Sequence, residues 1–209
     1  FTEGETQLGR TFVHEGVLSE ENALRVLDYE RASWVVKTAQ PMAVGTCYCR
    51  HKMEHLGRAC DAPMNICMTF NSVARSLIRH GIAREVDTAE GLDLLQEARD
   101  RRLVQFGENV RKRVSFVCNC CGCCCEQLQA INRFGLRAVS PSGLLPAHEP
   151  SACKGCSRCA RACPIGSISL RARRAEAERN NRLEPKVDEE RCIGCGVCVG
   201  ACRSGALTM

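Results

Sequence analysis

The chain has 209 residues, 44% of them apolar, but 18 of those are cysteines and aromatics make up only 4%. The remaining core formers are few, so part of the stabilisation must come from elsewhere, and metal–thiolate bonds are the natural source. The formal charge is +5, yet no basic stripe with interleaved aromatics argues for nucleic acid, and no apolar run approaches the roughly 20 residues of a membrane span.

In chain order, Ser19 is the expected N-cap of a helix running through Leu24, Leu27 and Trp34 toward Ala39, with Glu20 and Glu21 in its first turn. Asn71 is expected to cap a second helix with Val73, Leu77 and Ile78 on its apolar face and Gly81 past its end. Asp87 precedes a third, where Leu92, Leu95 and Ala98 recur at helical spacing. Short apolar segments from Leu103 to Val117 read as strands, and a short helix is expected to end at Gly135. Residues 139–150 are rich in Pro, Ser and Gly and read as a linker. The expected fold class is therefore α+β. It comprises a mainly helical, cysteine-rich region over 1–138, a linker over 139–150 and a small domain over 151–209. The chain opens on Phe1 rather than Met, as a processed or partial N-terminus would.

Disulfide scaffolds disperse their cysteines to staple loops, usually in shorter chains. Here they cluster, as in Cys118-Asn-Cys120-Cys121-Gly-Cys123-Cys124-Cys125. Neighbouring cysteines pair poorly with each other but wrap well around a shared inorganic core.

The last sixty residues contain a repeat. Cys153-x2-Cys156-x2-Cys159-x3-Cys163 aligns with Cys192-x2-Cys195-x2-Cys198-x3-Cys202. Three closely spaced cysteines on a tight loop can cover three corners of a cubane, and the fourth of each run ligates the other cluster. The expected ligand sets are Cys153, Cys156, Cys159 and Cys202 for one [4Fe–4S] cluster, and Cys163, Cys192, Cys195 and Cys198 for the other. Two zinc knuckles are the competing reading, but zinc sites use C-x2-C pairs and leave the third cysteine and the x3-C without a role. The segment resembles the bacterial two-cluster ferredoxins over roughly residues 146–209. That resemblance implies a small βαβ domain with pseudo-two-fold symmetry. Each filled cubane carries a net charge of −2, so two sites bring the total to about +1, which further weakens a nucleic-acid reading.

Two features depart from the minimal pattern. Pro164 follows Cys163 as expected, but Arg203 follows Cys202. Arginine retains an N–H and adds a cation, so Arg203 is expected to raise the potential of its cluster. The segment 171–187 is long for this family and carries Arg171, Arg173, Arg174, Arg179 and Arg182, either a solvated face or a docking surface for an acidic partner.

Ten cysteines lie upstream: Cys47, Cys49, Cys60 and Cys67, then Cys118, Cys120, Cys121, Cys123, Cys124 and Cys125. They are expected to bind one or two further clusters, with a pairing that the spacing leaves open and a non-cubane form as an alternative. His51-x-x-Glu54-His55 has the spacing of inverted zinc peptidases, but neighbouring thiols would outcompete it for metal and no third ligand is identifiable. His51 and His55 read instead as cluster-tuning or surface groups. The C-x-C-R and C-N-C-C-x-C-C-C segments upstream of such a tail resemble multi-cluster iron–sulfur proteins of anaerobic bacteria and archaea.

The expected function is electron transfer, as a subunit passing electrons to a partner oxidoreductase in an anaerobe's cytoplasm, where thiols and clusters are protected from oxidation. No Gly-rich phosphate loop follows a strand, so no flavin or nicotinamide site is expected. The alternatives are a redox enzyme built on an unusual upstream cluster, and an iron–sulfur redox sensor.

Overall fold

The computed structural model describes residues 7–172 and 183–209. The N-terminal region is organised by an antiparallel sheet of six strands: β1 (Gly9–Phe12), β2 (Met42–Thr46), β3 (Asn65–Phe70), β4 (Ala83–Val86), β5 (Val104–Glu108) and β6 (Phe116–Cys120). Their spatial order is β1-β5-β6-β3-β2-β4. Side chains alternate across a strand, and here the alternation separates two kinds of chemistry. One face carries Met42, Met68, Phe70 and Val117 against Val35 and Val36 of α2 (Ala32–Thr38) and Leu95 of α5 (Thr88–Asp100). Full burial of Met68 or Phe70 contributes about 1.5–3 kcal/mol each. The other face carries Val104, Phe106, Cys118 and Cys120, covered by Leu128 and Ile131 of α6 (Glu126–Phe134) and by residues of the C-terminal part.

The expected α+β composition holds, but the expectation of a mainly helical N-terminal region misses most of the sheet. Only the strands at 103–117 were legible. Strand β2 contains Gly45 and buries three successive residues, and β3, though its buried residues alternate, draws them from Ile66, Met68 and Phe70 with Asn65 before them and Cys67 among them, so neither shows the run of β-branched residues that marks a strand. The long helix expected from Ser19 is also interrupted. Ser19 does cap α1 (Glu20–Arg25), its Oγ accepting from the Asn22 N–H at 3.2 Å. The backbone is then extended at Val26 and Leu27 before a short 3-10 turn leads into α2. The break lets Val26 turn inward against Val13 and Met209 while Leu24 and Leu27 stay exposed.

The second and third helices lie where expected. α4 (Asn71–Arg79) ends before Gly81, and Asp87 caps α5 through the Glu90 N–H at 2.8 Å. Asn71 is not a cap acceptor. It takes a left-handed φ of 57° and donates from Nδ2 to the Val114 carbonyl at 3.0 Å. Gly135, with φ 65°, closes α6.

The C-terminal part holds two short antiparallel pairs. β7 (Ala147–His148) pairs with β10 (Leu207–Thr208), and β8 (Ile168–Ala172) with β9 (Leu183–Val187). Short helices α7 (Arg158–Ala162) and α8 (Val197–Gly200) follow the cysteine loops. The Pro/Ser/Gly-rich stretch 139–150 is held on both sides. Ser140 exchanges backbone hydrogen bonds with Gly9 and Thr11 at the sheet edge, and Ser142 donates from Oγ to the Gly194 carbonyl at 2.7 Å. Of the basic segment, Arg171 pairs with Glu184 at 2.8 Å across β8 and β9; Arg173, Arg174, Arg179 and Arg182 lie outside the described residues.

Candidate metal centres

The eight tail cysteines gather around two small cavities. One is bordered by Cys163, Cys192, Cys195 and Cys198, the other by Cys153, Cys156, Cys159 and Cys202. In each, the fourth thiol of one half sits with the first three of the other half. The loops are shaped for this. Gly194 and Gly196 take left-handed φ values of 68° and 78°, which carries the backbone around the cavity, and a side chain on Gly194 would strike Ser142 and Leu144. Burial pushes the Cys198 thiol up to about 12, with Cys163 and Cys192 adding to the effect, and Cys195 also moves upward, chiefly through burial. Four close thiols in a buried site resist ionisation without a cation. A metal core supplies it, because ligation deprotonates cysteine.

The two crossing cysteines have polar partners that sequence reasoning did not anticipate. The Ser167 N–H donates to Cys163 Sγ at 3.2 Å, and the Ser167 hydroxyl lies 3.2 Å from the same sulfur. The Ser204 hydroxyl lies 3.6 Å from Cys202 Sγ. Burial opposes ionisation of Cys202, but Ser204 and the amides of Leu207, Ala206 and Ser204 outweigh it and lower its pKa. Hydrogen bonds to cluster sulfurs are one of the levers that set potential. Pro164 adjoins the first crossing cysteine, while Arg203 is exposed beside the second. If the cavity bordered by Cys202 holds a cluster, Arg203→Pro should lower its midpoint by roughly 10–40 mV at low salt, the scale of a screened surface charge. The shift should shrink in 1 M salt. Redox titration followed by electron paramagnetic resonance measures it, and equal midpoints in the two proteins would remove Arg203 as a tuning group.

The upstream cysteines divide into two groups. Six lie side by side and shift one another's ionisation: Cys47 with Cys67, Cys67 with Cys118, Cys118 with Cys120, Cys120 with Cys125, and Cys49 with Cys125. The fold explains this line. Pairing of Met68 with Val117 and of Phe106 with Cys118 puts Cys67, Cys118 and Cys120 on one sheet face. Cys47 and Cys49 begin α3 (Tyr48–His55), and Cys125 is the N-cap of α6. A Lys52–Glu126 ion pair ties the two helices together over the row. Cys118 is held well below the ordinary thiol range by its neighbours Cys120 and Cys67, against the effect of burial. Cys125 is lowered likewise by Cys120 and Cys49 and by the Leu128 and Gln127 amides at the helix start.

The remaining four, Cys60, Cys121, Cys123 and Cys124, have sulfurs all within 4.8 Å of one another. Between the two groups lies Arg50, only 1% exposed. It donates to the Pro63 carbonyl at 2.8 Å and the Asn119 carbonyl at 2.7 Å. Burial disfavours its charge, but Cys121, Cys47 and Cys67 outweigh that and raise its pKa. Its one sequence signal is a charge directly after C-x-C at the start of a helix. His51 and His55 sit on the exposed side of α3 with their Nε2 atoms 3.1 Å apart, facing each other.

The upstream thiols and the tail share one apolar cluster, in which Cys120 and Cys125 pack with Cys195, Ile165 and Ile193, and Cys118 and Cys163 border it. Gly122 abuts the Pro164 backbone so closely that a Cβ there would lie 3.1 Å from the Pro164 carbonyl carbon. Asn132 donates from Nδ2 to the Pro164 carbonyl at 3.0 Å, and Gln129 donates to that of Gly122. The His14 N–H donates to the Cys195 carbonyl at 3.1 Å, anchoring the second cluster loop to the sheet.

Residues 152–206 match the family model of the 4Fe–4S dicluster domain. No curated protein matches the chain. The matched segment contains all eight tail cysteines, and the chain is an iron–sulfur protein whose C-terminal domain holds at least two [4Fe–4S] clusters.

Proposed function

We propose that this chain is an electron relay. Cys153, Cys156, Cys159 and Cys202 hold one cubane of a pseudo-two-fold ferredoxin-like domain, and Cys163, Cys192, Cys195 and Cys198 hold the other. The six-thiol row carries a further iron–sulfur centre. A [4Fe–4S] cluster supplies reversible one-electron exchange. The chain's own contribution is to position the thiols, exclude water from the second cluster loop, and tune charge through Ser167, Ser204 and Arg203. The observation that carries the reading is the continuous packing from Cys118, Cys120 and Cys125 to Cys163 and Cys195, with Gly122 against Pro164. It leaves no solvent layer between the upstream thiols and the tail. The terminal partner is an oxidoreductase subunit, in the reducing cytoplasm of an anaerobe. No helix among the described residues is long and apolar enough to cross a membrane.

A second reading draws on the number of thiols in the row. Six exceed the four a cubane uses, which favours an unusual upstream cluster able to act on a substrate. Anaerobically purified protein should contain about twelve irons with matching acid-labile sulfide, eight of them in the tail, and its reduced form should show interacting paramagnetic centres. Fewer than eight irons in fully loaded protein would refute the relay. An upstream spectrum that shifts when a small substrate is added would favour the enzyme.

A further inference from the structure

The four-thiol group differs in kind from the tail sites. Cys60 and Cys121 sulfurs are 3.5 Å apart, Cys60 and Cys124 3.8 Å, and Cys123 and Cys124 3.7 Å. Four sulfurs bound tetrahedrally to one ion at about 2.3 Å stand roughly 3.8 Å from each other. The thiolates of a cubane stand farther apart, roughly 6 Å, because each lies beyond its own iron at a separate corner. The same chain supplies the comparison. The tail thiols surround cavities, and among the described residues Cys60, Cys121, Cys123 and Cys124 are the only group of three or more ligand atoms packed within 4.8 Å.

We infer that these four cysteines hold a single tetrahedral metal ion, zinc by the softness and number of its donors, and not an iron–sulfur cubane. All four positions are thiolates and none is left open, the pattern of a structural rather than a catalytic site. The ion cross-links the irregular segment between α3 and β3, which carries Cys60, to the turn between β6 and α6, which carries the other three. An ion of charge +2 with four thiolates leaves a net −2, and the buried Arg50 guanidinium beside Cys121 offsets part of it. The inference is independent of the relay, since the other six upstream thiols remain for an iron–sulfur centre.

The test is zinc, iron and sulfide analysis of the full chain, purified anaerobically, as wild type and as Cys60→Ser/Cys123→Ser. Cys123 is exposed and Cys60 half-buried, so neither change opens a cavity in the core. The wild type should carry one zinc per chain, lost in the variant with iron and sulfide unchanged. Loss of one iron unaccompanied by sulfide would also establish a mononuclear site and would identify its ion. Zinc-edge X-ray absorption on the wild type should show four sulfurs at about 2.3 Å, a readout that needs no variant. Loss of about four irons with equal sulfide, or no loss of metal at all, would overturn the inference.

Discussion

Arg50→Met should destabilise the protein by about 3–5 kcal/mol, the range for removing one partner of a buried charge arrangement, and should empty the metal centres proposed for the upstream thiols. The side chain is 1% exposed and fills three roles at once. It satisfies the carbonyls of Pro63 and Asn119, it holds the Cys60 loop to β6 through those carbonyls, and it places a buried cation beside Cys121, Cys47 and Cys67. Methionine is of similar size but leaves the Pro63 and Asn119 carbonyls without their donor and removes the cation beside the upstream cysteines. Arg50→Lys keeps the charge without the planar fork, so it can reach one carbonyl but not both, and it should fall between the two. Denaturant unfolding together with metal analysis checks this. The tail clusters should keep their spectra in both variants. A methionine variant with wild-type stability and metal content would show that the thiol groups need no cation.

How much of this was legible in the sequence depends on the length scale of the signal. The tail repeat was legible because each cluster loop is specified by cysteines two or three residues apart, and the family match at 152–206 falls on the same residues. Gly135, Asp87 and Ser19 were legible because caps are local. The sheet was not. Its strands are four to six residues long, and the order β1-β5-β6-β3-β2-β4 is set by pairings that no local pattern encodes. The division of the ten upstream cysteines was hidden for the same reason. Cys120 and Cys121 are neighbours in sequence but belong to different groups, because strand β6 ends between them and the chain turns. Conversely, Cys60 and Cys124 are far apart in sequence and are joined only by the folding of α3 beside the sheet.

That turn also makes the junction testable. Gly122→Ala should weaken the contact between the upstream thiols and the second cluster loop while leaving both sides folded. A Cβ at this position would overlap the Pro164 carbonyl and approach its Cα to 3.2 Å. These are backbone atoms, with no flexible side chain to move aside, so the segments must separate. The expected cost is about 1–3 kcal/mol, as for other overpacked contacts. The separation should also disturb the hydrogen bonds from Gln129 and Asn132 that bridge Gly122 and Pro164. If electrons cross here, stopped-flow reduction should show the tail clusters filling at the wild-type rate and the proposed upstream centre severalfold more slowly, because tunnelling falls steeply with separation. Magnetic coupling between reduced centres should weaken in parallel. Gly135→Ala is the control. It strains a left-handed C-cap at a cost of about 1 kcal/mol, but a Cβ there meets nothing within 4 Å, so stability should drop with the transfer rate unchanged. Equal upstream reduction rates in the Gly122 variant and the wild type would mean that electrons enter the upstream centre by another route, and the row would then be a separate site that merely shares a core with the ferredoxin-like tail.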